Sequence, residues 1–187
     1  MTSNNGISFY EIQEEFCNLV KNQDYEGLHT FLSNISNDIL NYLKRRQLNR
    51  TFDPVRILCG MEDSEQCLEL ILNYAFRITR RFFLNKLLRH DYGYLQLLIN
   101  NNAPIDRTAL IIVGHNEDVN LLNMFFERWG ETGTDMDIIS FNFLKYNKFQ
   151  SFNWCMQKAE FYVNVERCLV YATQNSLFNF LAILQEN

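Results

Sequence analysis

The chain has 187 residues, of which 47% are apolar and 16 are Phe; this is enough to bury one continuous core and too apolar for a disordered segment. Two Pro and seven Gly disfavour a β fold with many turns, and a net charge of −5 disfavours general nucleic-acid binding. No run of 18 apolar residues exists, so no membrane span is expected.

The first residues, Met1–Ile7, are polar and carry no apolar core of a secretory signal. From Ser8 onward one pattern returns six times. Its anchors are Asp24, Asp63, Asp91, Asp118, Lys148 and Ser176. Four and eight residues after each anchor the side chain is apolar: Leu28 and Leu32, Cys67 and Ile71, Leu95 and Ile99, Leu122 and Phe126, Phe152 and Met156, Phe180 and Leu184. The seventh position is apolar too, as in Phe31, Leu70, Leu98 and Phe125. Offsets of 4, 7 and 8 mark one face of an α-helix. Another apolar stretch precedes each anchor, and four anchors are Asp, a good N-cap. The unit is therefore helix, tight turn, capped helix. The last five anchors are spaced 28, 27, 30 and 28 residues apart, a period that predicts a helical solenoid.

In chain order, unit one covers about 8–33 and is followed by an insertion at 34–52. Within the insertion Ile39, Leu40 and Leu43 predict an extra helix, capped by Asn37 or Asp38 and ending in Lys44-Arg45-Arg46. Units two to six follow at about 53–79, 80–106, 107–134, 135–164 and 165–187. Pro54 suits the first turn of a helix, where its missing N–H costs little. Gly130–Gly133 reads as the most flexible link. A repeat cannot bury its apolar face without neighbours, so 1–187 reads as a single repeat domain. The five Cys, at 17, 59, 67, 155 and 168, lie in apolar stretches without a C-x-x-C. They read as reduced core thiols of a cytoplasmic or nuclear protein.

The segment Arg107–Trp129 resembles an ankyrin repeat. Thr108-Ala109-Leu110 stands where that family has Thr-Pro-Leu, and Val113-Gly114 stands at its paired small residues, which let helices approach closely. Leu121-Leu122 and Phe125-Phe126 match its second helix. Leu95–Asp106 is similar to the closing Leu-Leu…Gly-Ala-Asp-Val-Asn of the family, with Asn102 in place of the Gly and Ala103 kept. Leu70–Ala75 is a weaker copy, so the resemblance covers about 53–130. The repeats are shorter than the family's ~33 residues, and no Thr-Pro-Leu-His stands intact. The resemblance thus implies an all-α, ankyrin-like helical-hairpin solenoid with truncated or missing β-hairpin fingers. Asn- and Phe-rich ankyrin-like repeats of this kind are similar to multigene-family proteins of large DNA viruses, asfarviruses above all, and to host-modulating ankyrin proteins of viruses and intracellular bacteria. What that implies is a protein-interaction factor of the host cytoplasm, with a host signalling protein as partner, in innate immunity or NF-κB control.

No residue set points to catalysis. His115-Asn116-Glu117-Asp118 is contiguous at a turn, so its side chains do not converge as ligands on one helix face would. His90-Asp91 falls at the equivalent turn one repeat earlier, which favours a structural role, and His29 stands alone. No zinc spacing, phosphate loop or G-x-S-x-G is present, so no enzyme activity, metal or cofactor is expected. Two basic clusters stand out in this acidic chain. One is Lys44, Arg45, Arg46 and Arg50; the other is Arg77, Arg80, Arg81, Lys86 and Arg89. Cations at helix ends are ordinary, yet Arg gathered this way also makes a contact surface for an acidic partner. Unit five gathers Phe141, Phe143, Tyr146, Phe149, Phe152, Trp154, Phe161 and Tyr162, mostly as core. The expectation is a non-enzymatic protein–protein interaction module. Two alternatives stand beside it: a Bcl-2-like helical bundle, in which one central helix is buried, and a nucleic-acid-binding protein using the basic clusters.

Overall fold

The computed structural model describes residues 8–48, 52–129, 134–159 and 163–186. Among them thirteen helices and no strand occur, so the protein is all-α. In chain order they are α1 (Phe9–Asn22), α2 (Tyr25–Asn34), α3 (Asn37–Leu48), α4 (Pro54–Leu58), α5 (Glu65–Asn73), α6 (Arg80–Leu88), α7 (Leu95–Asn100), α8 (Arg107–His115), α9 (Val119–Trp129), α10 (Thr134–Lys145), α11 (Phe149–Ala159), α12 (Val165–Gln174) and α13 (Phe178–Glu186). Each expected unit supplies two helices, and α3 is the insertion. The Gly130–Gly133 link lies outside the described residues, as do Arg50, Phe161 and Tyr162.

The chain forms two compact units. The first holds Met1–Phe83 and Tyr92–Ala103, the second Leu84–Asp91 and Pro104–Asn187. Within the first, α1 packs on α2 and α4, and α5 packs on α4 and α2. Within the second, α8, α10 and α12 follow one another, α9, α11 and α13 do the same, and each first helix packs on its own second helix. The apolar offsets explain this ladder. Leu28, Ile71, Leu122, Phe152, Phe180 and Leu184 are all buried; Leu28, Leu122, Phe152 and Phe180 stand four residues after their anchors, Ile71 and Leu184 eight. In the first unit Phe16 is fully enclosed and touches three rings, Phe31, Phe52 and Phe76, at centroid distances of 5.6, 5.4 and 5.4 Å. In the second, Phe180 meets Phe152 at 5.3 Å and Phe149 at 5.4 Å. Gly114 of α8 lies against the ring of Phe143 in α10; a Cβ there would stand 2.0 Å from Phe143 Cζ.

The turns explain why the helices double into pairs. Gln23, Asp63, His90, Glu117, Asn147 and Ser176 all have positive φ, between 53° and 57°. In four of the six the next N–H reaches back across the turn: Asp24 to the Leu19 carbonyl and Lys148 to Phe143, at 3.1 and 2.8 Å, are two examples. That bond stops the first helix and frees the following residue to cap the second. Asp24 and Asp118 do so, accepting from the amides of Gly27 and Leu121 at 2.9 Å each.

Two of the expected caps are corrected. Asp63 is itself the left-handed residue, so Ser64 takes the cap position, and its hydroxyl donates to the Leu58 carbonyl at 2.6 Å instead of serving α5. Asp91 is drawn away by the buried Lys86, 2.8 Å from its carboxylate, while Tyr94 stands at the start of α7. The start of α3 is held by the Ser36 hydroxyl, which accepts weakly from the Ile39 amide at 3.4 Å; Asn37 and Asp38 already lie within the helix. Asp118→Ala is therefore expected to cost about 1 kcal/mol in urea unfolding, whereas Asp63→Gly, which loses no cap and relieves a left-handed backbone, is expected to be neutral or stabilising. Loss of partner binding in Asp118→Ala at unchanged stability would instead make that residue a contact.

Candidate functional site

Helix α3 is the one helix the repeat does not require, and it carries the first basic cluster. Its seat is built from Gln47, which is buried. The Gln47 amide donates to the Arg77 carbonyl at 2.7 Å and to Asp53 Oδ1 at 3.0 Å, and its Oε1 accepts from the Arg77 amide at 3.0 Å. This pairing ties the end of α3 to the irregular segment after α5. It also sets Arg77 beside α3, so that its exposed side chain joins those of Lys44 and Arg45 around a concavity of about 490 Å³, closed by Asn41 and Ala75. Among the described residues no carboxylate lines it. Among the described residues none of these three cations makes an ion pair.

The other predicted basic residues stand differently. Arg46 does not line the concavity; its Nε donates to Gln13 Oε1 at 3.0 Å and its guanidinium lies 6.0 Å from the Tyr42 ring. Arg80 and Arg81 are exposed on the first turn of α6 and do not line the concavity. Lys86 is buried on Asp91, and Arg89 is exposed; both belong to the second unit. Arg50 lies outside the described residues.

A second recess, of about 610 Å³, lies on the other flank of α3. It is lined by Phe9, Tyr10 and Tyr42, with Asp38 and Arg45 at its edge. Phe9 and Tyr42 hold each other at 4.7 Å between ring centroids, and Tyr10 is 71% exposed. The N-terminus of α1 is fixed for this by a reciprocal cap: Ser8 Oγ accepts from the Glu11 amide, and the Glu11 carboxylate accepts from the Ser8 amide at 2.8 Å. Those bonds to Ser8 hold the Glu11 carboxyl below its usual range.

The polar run at the α8–α9 turn is used up by packing. His115 Nε2 lies 2.7 Å from Asn142 Oδ1, and the imidazole is 5.0 Å from the Tyr146 ring. Glu117 accepts from the Gln150 amide at 3.0 Å and so caps the second helix of the next repeat, while Asp118 caps its own. The three side chains diverge. His29 stacks on Tyr25 at 6.2 Å. Among the described residues no group of His, Cys, Asp and Glu could hold a metal ion, and no helix is long and apolar enough to cross a membrane. No disulfide joins any of the five Cys. Burial pushes the thiols of Cys17, Cys67 and Cys155 up, and that of Cys168 to about 11, which leaves them protonated and poorly nucleophilic near neutrality.

Sequence reasoning missed Gln47, which has no motif; its only signal was a polar residue at a core-facing position of the insertion helix. It also missed the aromatic recess, because Phe9 and Tyr10 stand on α1 and Tyr42 on α3. Comparison with family models, curated proteins and solved structures finds no match.

Proposed function

We propose that the protein is a non-enzymatic protein-interaction module, an ankyrin-like solenoid without fingers, whose α3 surface holds an acidic face of its partner. The observation that carries this reading is the convergence of Lys44, Arg45 and Arg77 on one concavity lined by no carboxylate among the described residues, in a chain of net charge −5. Cations gathered without counter-charges repel one another, and a partner's carboxylates relieve that repulsion through charge-assisted hydrogen bonds. The packing of first helix on first helix and second on second supports a solenoid over a Bcl-2-like bundle, which needs one helix surrounded by the others. The similarity of Arg107–Trp129 to ankyrin repeats, in the Asn- and Phe-rich style of asfarvirus multigene-family proteins, supports a host signalling protein in the cytoplasm or nucleus as the partner, in innate immunity or NF-κB control.

Affinity capture from cell lysate, read by mass spectrometry, tests this with two charge-reversed chains. Lys44→Glu, Arg45→Glu and Arg77→Glu together should abolish capture of the partner at unchanged thermal stability. Arg80→Glu with Arg81→Glu should retain it. Equal capture by all three chains would return the cluster to ordinary helix-end charge. Recovery of nucleic acid with steep salt dependence would support the nucleic-acid alternative.

A further inference from the structure

The two recesses beside α3 share two residues. Asn41 and Arg45, four apart and therefore on one face of the helix, line both. One recess is aromatic and the other cationic, and each has the volume of a small-ligand site. They lie side by side over the same turns of α3: both reach Asn41 and Arg45, the aromatic recess adding Asp38 and Tyr42 and the cationic one Lys44. We infer that the ligand of this surface is a short acidic peptide segment that seats one large apolar or aromatic side chain between Tyr10 and Tyr42 and lays following carboxylates on Arg45, Lys44 and Arg77. This rests on the reading of the chain as a protein-interaction module and specifies what it binds.

The chemistry favours a peptide over a nucleic acid. Nucleic-acid affinity comes from a track of cations along the phosphate backbone. Among the described residues Arg45 is the one cation lining the aromatic recess, which also presents the Asp38 carboxylate, a group that repels phosphate and accepts from a peptide N–H. Tyr and Arg are also the side chains that most often dominate peptide and protein recognition, because they bring rigid contact area and paired donors. Arg45 stands where the two recesses meet, so it reads the junction between anchor and charge.

The test uses the full chain and a fluorescein-labelled peptide with one tryptophan followed by a run of glutamates, read by anisotropy at moderate salt. Three losses are expected, each of about tenfold or more in affinity: on changing the glutamates to glutamines, on changing the tryptophan to glycine, and on Arg45→Glu with Arg77→Glu in the protein. Tyr10→Ala should weaken the tryptophan peptide and leave the glycine peptide unaffected. If the charge-reversed protein melts early, Arg45→Gln with Arg77→Gln replaces it, with the same loss expected. No binding of the peptide, binding indifferent to glutamine replacement, or binding indifferent to Arg45 and Arg77 would each overturn the inference. So would a single-stranded oligonucleotide that displaces the peptide with a steep salt slope. Capture of a partner in lysate alongside a failed peptide assay would overturn this ligand class alone; failure of both would overturn the interaction reading as well.

Discussion

Gly114→Ala is expected to lower the stability of the second unit by about 2 kcal/mol, although alanine is the better helix former by ~1 kcal/mol. The added methyl would stand 2.0, 2.2 and 2.9 Å from three atoms of the Phe143 ring, which is fully buried. The ring cannot simply swing away, because the core around it is closed. Nor can α8 easily back off, since the Ser151 hydroxyl donates to the Gly114 carbonyl at 2.7 Å. Thermal melting should show a fall of roughly 4–8 °C. In a Phe143→Leu background the same substitution should cost much less, and the double-mutant cycle then isolates the contact. A stabilising Gly114→Ala would mean that helix propensity outweighs a contact that is not there.

Gln47→Leu is expected to cost about 3 kcal/mol. Leucine keeps the volume and removes both partners of the Arg77 backbone, leaving an N–H and a C=O that had been satisfied by one buried amide. Removing one partner of a buried hydrogen bond is costly because the other has already given up water. Urea unfolding gives the stability, and amide exchange at Arg77 locates the effect, which should be large there. A variant as stable as the parent, with Arg77 still protected, would show that α3 is held by its apolar face alone. The two predictions probe different things: Gly114 tests how close two repeats approach, Gln47 tests how the insertion is attached.

The period was legible because burial imposes it. Leu28, Ile71, Leu122 and Phe152 recur at fixed offsets since each must face the next repeat, and all four are inaccessible. Gly114 was legible as a close approach, though its neighbour is the first helix of the following repeat and not its own second helix. Asp24 and Asp118 read correctly as caps, while Asp63 and Asp91 did not. One backbone step separates the cap from the left-handed residue, and Asp suits both positions. His90 and Glu117 were placed at turns, but neither is Gly or Asn, so nothing in their identity marked a left-handed backbone. Of the basic cluster, composition alone could not tell Arg45, which faces the concavity, from Arg46, which faces Gln13. Adjacent positions on a helix point about 100° apart, so the division required the pose of α3. The hold of Gln47 on Arg77 joins residues thirty positions apart and leaves no periodic trace.

The left-handed turn residues carry a consequence for how the molecule breathes. Among the described residues nine other than glycine take positive φ, and six of them sit between the paired helices. A residue with a Cβ has only a narrow well there, costing roughly 1 kcal/mol or more to enter, where glycine would have a broad one. Such a turn has little room for partial distortion. It is either in its well, with the backward hydrogen bond made, or the hairpin is open. Fluctuations are thereby partitioned into whole hairpins that open and reclose as cooperative blocks. Local melting would then begin at a helix pair with few neighbours, and the repeat, rather than the single helix, is the quantum of opening.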